Sequence, residues 1–273
     1  MGDVVCSFAT SHVLFPSTNV EAQAATVLRG FETIRERLAA SRPDVVIVAA
    51  SEHGEVFPVL GPQPPFALAV VDSFEANGHD LPQRTYRSSE SVAIDLMGFT
   101  ARAGFDLAAL PDPQFDHGLL LPLEMVLAPS DTIILPLITN CGLTPACPTL
   151  ARSFRLGETC AQWARESDLR VAVLGSGGLS HWPGMAAMGR INSEWDSHFL
   201  TALTSGDLDA WLQKTPAEVV AEGGNGGLEL NNWMFAAGAA GNRGGEVLYY
   251  EPIAPWVAGM SAIEMKVDLH DTH

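Results

Sequence analysis

The chain has 273 residues, of which 47% are hydrophobic and 17% are charged, a length and composition sufficient for a well-buried core. Its 15 lysine and arginine residues are outnumbered by 32 aspartate and glutamate residues, which gives a formal net charge of -17. Because such a charge repels phosphate backbones and anionic lipids, we expect neither nucleic acid nor a membrane surface as a partner.

Apolar runs typical of buried strands alternate along the chain with amphipathic segments typical of helices. Residues 3–10 and 44–50 are predicted strands with a helix at 20–40 between them, and this βαβ unit implies a parallel sheet. Further helices are predicted at 91–103, 148–166, 191–203 and 228–237, further strands at 132–139 and 170–175, and extended segments at 249–256 and 263–269. We therefore predict an α/β fold, with residues 1–273 forming a single domain around a mostly parallel central sheet flanked by helices.

The four cysteines indicate a reducing cellular compartment and not a zinc or disulfide site. Cys6, Cys141, Cys147 and Cys160 have neither the CxxC spacing of a zinc site nor the density of a secreted disulfide scaffold. The first residues lack the basic region of a signal peptide, and no apolar run reaches the roughly 18 residues of a membrane span. We expect free thiols and a cytoplasmic protein.

Histidines follow three of the predicted strands. His12 comes after the first strand, His53 after the second, and His181 after the strand at 170–175. In an open parallel sheet, ligands bind outside the carboxyl ends of the strands, so these side chains are expected to converge. His117 ends a long connection at 111–118, where it is either functional or a turn residue beside a Gly118 with positive φ.

Two imidazoles and one carboxylate form the facial triad of non-haem Fe(II) oxygenases, which leaves the opposite face of the metal open for substrate and O2. Glu229 is the best carboxylate, because it follows glycines and has apolar neighbours among which an unpaired charge is costly. Glu52 and Glu222 are the alternatives, and the residue types by themselves do not exclude them.

Five short motifs together resemble the class III extradiol ring-cleavage dioxygenases. They occur in the family's order across nearly the whole chain, and one departs slightly, since Glu52 stands where many relatives have aspartate. The motifs are Ser11-His12, Ser51-Glu52-His53-Gly54, Asp116-His117-Gly118 with Pro122-Leu123, Gly177-Gly178-Leu179-Ser180-His181, and Glu229 before Trp233.

The resemblance implies an α/β enzyme that uses Fe(II) and O2 to open the ring of a small aromatic substrate. It implies that His12, His53 and Glu229 bind the iron, whereas His117 and His181 do acid–base work. We assign proton donation to His181 and contact with the distal substrate hydroxyl to His117, and the reverse assignment stays open. The resemblance also implies a homo-oligomer or a pairing with a small second subunit.

Two other functions fit the same residues. A zinc-dependent hydrolase can use two histidines and one glutamate as ligands, and a non-catalytic binding protein can retain the pocket of such a fold. The substrate also stays open among catechols, gallate-like triols, aminophenols and hydroxypyridones. Arg190 could meet a substrate carboxylate, although a lone arginine after a loop is as often a surface residue.

Overall fold

The computed structural model describes residues 2–51, 53, 63–76, 81–127, 131–142 and 145–268. Within these ranges the chain forms ten strands: β1 (Asp3–Thr10), β2 (Val45–Ala50), β3 (Phe66–Ala69), β4 (Ser73–Ala76), β5 (Arg84–Arg87), β6 (Ala108–Leu110), β7 (Ile133–Thr139), β8 (Arg170–Ser176), β9 (Gly245–Ile253) and β10 (Ala258–Met265). It also forms eight α-helices: α1 (Glu21–Ser41), α2 (Glu90–Arg102), α3 (His117–Val126), α4 (Leu150–Glu166), α5 (Ser193–Ser205), α6 (Asp209–Leu212), α7 (Pro216–Gly223) and α8 (Leu230–Ala239).

Eight of the strands form one mixed sheet in the order β6-β3-β7-β2-β8-β1-β10-β9. The four central strands β7, β2, β8 and β1 are parallel to one another. Antiparallel pairing begins on either side, where β3 joins β7 and β10 joins β1. The parallel centre places the carboxyl ends of β1, β2, β7 and β8 at one edge of the sheet.

Helices cover both faces of the sheet, so its central strands are buried on both sides. In β2, Val45, Ile47 and Ala49 belong to one apolar cluster, whereas Val46, Val48 and Ala50 belong to the other. Helices α4 and α8 contribute to the first cluster, and helices α1 and α3 contribute to the second. A continuous apolar run such as Val45–Ala50 is what a strand buried on both faces requires.

The predicted fold class is confirmed by this sheet and its two helical layers. Strand β1 has its predicted bounds, and β2 and β8 differ from theirs by one residue at one end. The last extended segment was predicted at residues 263–269, which is too far along the chain, because β10 begins at Ala258 and ends at Met265. Among the described residues, no helix is both long and apolar enough to cross a bilayer.

The connection predicted at residues 111–118 ends in a helix. Helix α3 begins at His117, and the Asp116 carboxylate caps it by accepting a hydrogen bond from the backbone N–H of Gly118 at 2.7 Å. The expectation of a turn with positive φ at Gly118 is wrong, since Gly118 is not among the residues with positive φ. Gly118 instead allows a close approach, because a Cβ there would lie 2.9 Å from Cε1 of His53.

Candidate active site

The five predicted site residues meet at the carboxyl edge of the parallel strands. His12, His53 and His181 follow β1, β2 and β8, His117 is the first residue of α3, and Glu229 ends a short 3-10 helix before α8. The ring centroids of His12 and His53 are 5.3 Å apart, and those of His12 and His117 are 5.4 Å apart. His117 stacks on His53 with a centroid distance of 4.4 Å.

Glu229 lies at the centre of this group with only 3% of its surface exposed. Its Oε1 atom is 3.3 Å from Nε2 of His53 and 3.6 Å from Nε2 of His12, and its Oε2 atom is 3.7 Å from Nε2 of His181. Burial acts to raise the pKa of Glu229, but the three histidines outweigh it and hold that pKa well below its usual value. The carboxylate is therefore ionised, and its charge faces three imidazoles.

Two further hydrogen bonds fix the orientation of the Glu229 carboxylate. The hydroxyl of Ser51 donates to Oε1 at 2.8 Å, and the backbone N–H of Gly178 donates to Oε2 at 2.7 Å. Gly177 permits this approach, since a Cβ at that position would lie 2.6 Å from Cβ of Glu229. The glycines after β8 thus allow the segment to pass directly against the acid.

A chain of hydrogen bonds holds the second ring nitrogen of His12. Nδ1 of His12 lies 3.0 Å from Oγ of Ser176, and the Ser176 hydroxyl donates to the backbone carbonyl of Gly118. That carbonyl lies four residues before Pro122, which is inside α3 and has no N–H to donate to it. Because the Ser176 proton is committed to Gly118, its oxygen accepts from Nδ1–H and Nε2 of His12 keeps its lone pair toward Glu229.

His53 is oriented by Asp116, the residue that caps α3. The Asp116 carboxylate accepts from the backbone N–H of His53 and lies 3.1 Å from its Nδ1 atom. Burial acts to lower the pKa of His53, but the hydrogen bonds to Asp116 and Glu229 raise it to about 10. In His12, by contrast, burial is the largest effect and lowers the pKa to about 4.

The ring of His181 is confined by its own segment and by the glycines before Glu229. Its Nδ1 atom lies 3.0 Å from the carbonyl of Leu179, so Nε2 faces Glu229. A Cβ at Gly226 would lie 2.1 Å from Cε1 of His181, and one at Gly178 would lie 3.0 Å from the same atom. These glycines leave room for the imidazole on two sides.

The arrangement suits a bound metal ion. Nδ1 of His12 and of His53 is held by a hydrogen-bond partner while Nε2 points at a shared carboxylate, which is how proteins orient metal-binding histidines. A cation would also compensate the buried charge of Glu229. One ring nitrogen from each of His12, His53 and His117 lies within 4.8 Å of the others, so these three histidines form a second set that could hold a metal ion.

Comparison with known proteins identifies the family. Residues 7–261 match the family described as the catalytic LigB subunit of aromatic ring-opening dioxygenase. The chain belongs to this family. It is accordingly a ring-cleaving dioxygenase of the class III extradiol type, as the sequence motifs predicted.

Two curated relatives of this LigB protein carry the same printed name, 2,3-dihydroxyphenylpropionate/2,3-dihydroxicinnamic acid 1,2-dioxygenase. The Photorhabdus laumondii protein is 26% identical, and the match covers 95% of this chain and 96% of the relative. The Escherichia coli K12 protein is 28% identical, with 86% of this chain and 89% of the relative covered. A crystal structure of the uncharacterized protein JW3007 from Escherichia coli K12 shares the fold, with a TM-score of 0.57 at 15% identity over 95% of this chain and 99% of that chain.

The alternative acid Glu222 has a basic partner of its own. Glu222 is in α7 and pairs with Lys214, whose Nζ atom lies 2.9 Å from its carboxylate. Glu52 lies outside the described residues. Arg190 is exposed and its guanidinium lies 4.7 Å from the ring centroid of Trp182, the residue after His181.

The residues that orient the histidines and the acid were not predicted from the sequence. Ser51 and Asp116 lie within motifs that carry predicted site residues, so their place in those motifs was the available signal. Ser176 lies outside those motifs, and the structure places its hydroxyl beside Nδ1 of His12.

Proposed function

We propose that this LigB-family enzyme is a non-haem Fe(II)-dependent extradiol dioxygenase that opens the ring of a catechol-like aromatic. The observation that carries the proposal is the buried Glu229 carboxylate, which faces Nε2 of His12 and His53 at 3.6 and 3.3 Å. Two imidazoles and one carboxylate are the donors of facial-triad Fe(II) oxygenases. The names of the curated relatives support a substrate with adjacent hydroxyl groups.

We propose His12, His53 and Glu229 as the iron ligands, and His117 as a residue beside the metal. Burial favours Glu229 over His117 as the third ligand, because Glu229 is 3% exposed and His117 is half-buried; His53, which both sets share, is exposed. A carboxylate also contributes the negative charge that balances a divalent cation, and a third imidazole does not. The three-histidine set His12, His53 and His117 is the alternative that the geometry leaves to experiment.

Bound Fe(II) would supply a centre at which two adjacent substrate oxygens and O2 can meet. Around it, the chain itself has to move protons: one hydroxyl of the substrate must lose a proton, and a proton must be returned as the ring opens. We propose His117 for contact with the substrate hydroxyl and His181 for proton donation. His181 is 5% exposed and confined between glycines, which suits a donor that must act from one fixed position.

Ligand variants test the proposed metal site. Glu229→Gln keeps the shape of the side chain but removes its charge, and we expect it to lose stoichiometric Fe(II) binding. Glu222→Gln is the matched control, because its carboxylate pairs with Lys214 instead. If Glu229→Gln binds Fe(II) like the wild type and His117→Ala does not, the three-histidine set holds the metal.

Metal analysis and oxygen uptake test the reaction. Protein purified without oxygen is expected to contain iron and, when loaded with Fe(II), to consume O2 with one or more of catechol, 2,3-dihydroxyphenylpropionate, gallate, 2-aminophenol and a hydroxypyridone. Zinc without oxygen uptake would favour the hydrolase alternative, which family membership already disfavours.

We also propose a cytoplasmic enzyme that works as a homo-oligomer or with a small second subunit. The four cysteines are all free, which suits a reducing compartment. Phe15, Met185 and Met188 are each about half exposed, at 52%, 49% and 57%, on segments that follow His12 and His181. Light scattering coupled to size-exclusion chromatography distinguishes a monomer from an oligomer.

A further inference from the structure

The segment that carries His181 is attached to the fold through a buried carboxylate. Asp196 in α5 is fully buried. It accepts hydrogen bonds from the backbone N–H and the hydroxyl of Ser180, at 2.9 and 3.0 Å, and from the hydroxyl of Tyr250, at 2.8 Å. Both hydrogen-bond donors of Ser180 therefore end on one side chain, and Ser180 immediately precedes His181.

The same segment is held from a second direction by β10. The backbone N–H of Leu179 donates to the carbonyl of Gly259 at 3.1 Å, and the N–H of Gly259 donates to the carbonyl of Ser180 at 3.2 Å. A Cβ at Gly259 would lie 2.3 Å from Oδ2 of Asp196. Because Gly259 has no Cβ, the Asp196 carboxylate can lie directly against β10 and the segment that carries His181.

The position of the His181 ring depends on this attachment. Nδ1 of His181 lies 3.0 Å from the backbone carbonyl of Leu179, the residue that precedes Ser180 in the chain. Release of Ser180 would therefore shift both the backbone of His181 and the carbonyl that sets the orientation of its ring.

The Asp196 carboxylate is buried without a basic side chain paired to it among the residues that the structure describes, and a buried carboxylate without a cation costs free energy. Its three hydrogen bonds compensate in part. Because this free-energy cost is only partly compensated and Asp196 lies beside a proposed catalytic histidine, its burial indicates a role in catalysis as well as in stability.

We propose that Asp196 is a positioning residue, which acts through Ser180 to hold His181 for proton transfer. The inference rests on the proposed function, since it requires His181 to take part in turnover. A displacement of about 1 Å at a reacting group can cost about 10²-fold in rate. We therefore expect Asp196→Asn and Ser180→Ala to lower kcat by about 10²-fold while KM and the Fe(II) content stay near wild type.

A double-mutant cycle with His181→Ala tests this role, measured with Fe(II)-loaded protein and 2,3-dihydroxyphenylpropionate. If Asp196 acts through His181, Asp196→Asn lowers kcat in the wild type but has no further effect once His181 is alanine. Equal effects in both backgrounds would overturn the inference and leave the role of His181 intact. A normal kcat in His181→Ala would overturn the proposed role of His181, and the inference with it.

Tyr250→Phe is the matched control, because it removes a hydrogen bond from Asp196 without touching Ser180. We expect a kcat close to wild type even if the melting temperature falls. A loss as large as that of Asp196→Asn would mean that general destabilisation explains both variants. If Asp196→Asn does not fold, Ser180→Ala replaces it in the cycle, and a kcat near wild type in Ser180→Ala would also overturn the inference.

Discussion

Replacement of Ser176 by alanine should weaken iron binding although Ser176 touches no metal. Oγ of Ser176 lies 3.0 Å from Nδ1 of His12, and His12 is 1% exposed. Without the hydroxyl, the Nδ1–H group of His12 has lost its partner in a site where water has little access. The imidazole is then free to rotate or to change tautomer, and either change turns the Nε2 lone pair away from Glu229.

The expected size follows from the cost of a buried donor without a partner, which is about 1–3 kcal/mol. Since about 1.4 kcal/mol corresponds to a tenfold change in an equilibrium constant, the Kd for Fe(II) should rise by about 10- to 100-fold. In other metalloproteins, loss of a group that orients a metal ligand lowers the metal affinity by about 10- to 100-fold, which agrees with this value.

Anaerobic Fe(II) titration of metal-free protein measures this Kd directly. Ser7→Ala is the matched control, because Ser7 is also a fully buried strand serine and donates to the backbone carbonyl of Ala236 at 2.9 Å, away from the histidines. Both variants should lose some thermal stability, but only Ser176→Ala should lose iron affinity. Equal Fe(II) affinity in the two variants would refute the argument that Ser176 orients His12.

Four further predictions concern the histidines. His117→Ala and His181→Ala should keep iron but lower kcat by about 10²–10⁴-fold, whereas His198→Ala, an exposed helical control, should match the wild type in steady-state assays. Fe(II) binding should release about one proton near pH 8, because a ligand must bind unprotonated and the pKa of His53 in the metal-free protein is about 10. Calorimetry in two buffers measures this proton. The same raised pKa of His53 adds stability to the metal-free protein below pH 6.5, and that stability is lost as the pH rises through 10. Gly226→Ala should lower kcat with Fe(II) retained, since its Cβ would lie 2.1 Å from the His181 ring; an unchanged kcat would show that the ring has room to move.

The central strands were predictable because their signal is local. Val45–Ala50 is buried throughout, and a short continuous apolar run rich in valine and isoleucine is typical of a strand covered on both faces. Strand β10 was misplaced because Ala258 and Gly259 carry little strand preference of their own. They become a strand by pairing with Ile253 and Pro252 of β9, and such a pairing is not visible in the residues themselves.

The convergence of the candidate site residues was predictable to the same extent, because the topology fixes the positions of several of them. Histidines that follow parallel strands must lie at one edge, and the motifs added His117 and Glu229. The residues that orient them could not be found in this way. Ser51 and Glu229 are 178 positions apart, and Ser176 and His12 are 164 apart, so only the folded chain shows that they are hydrogen-bonded.

Pro122 shows how a motif residue can act on the site without approaching it. A proline inside a helix costs about 3 kcal/mol, because it removes a backbone donor and crowds the carbonyl four residues earlier. In α3 that carbonyl belongs to Gly118, and it accepts the hydroxyl proton of Ser176. With its proton so placed, Ser176 can only accept from Nδ1 of His12, which leaves Nε2 free for a metal. The helical hydrogen bond that Pro122 removes is thus replaced by one that determines which nitrogen of His12 faces Glu229.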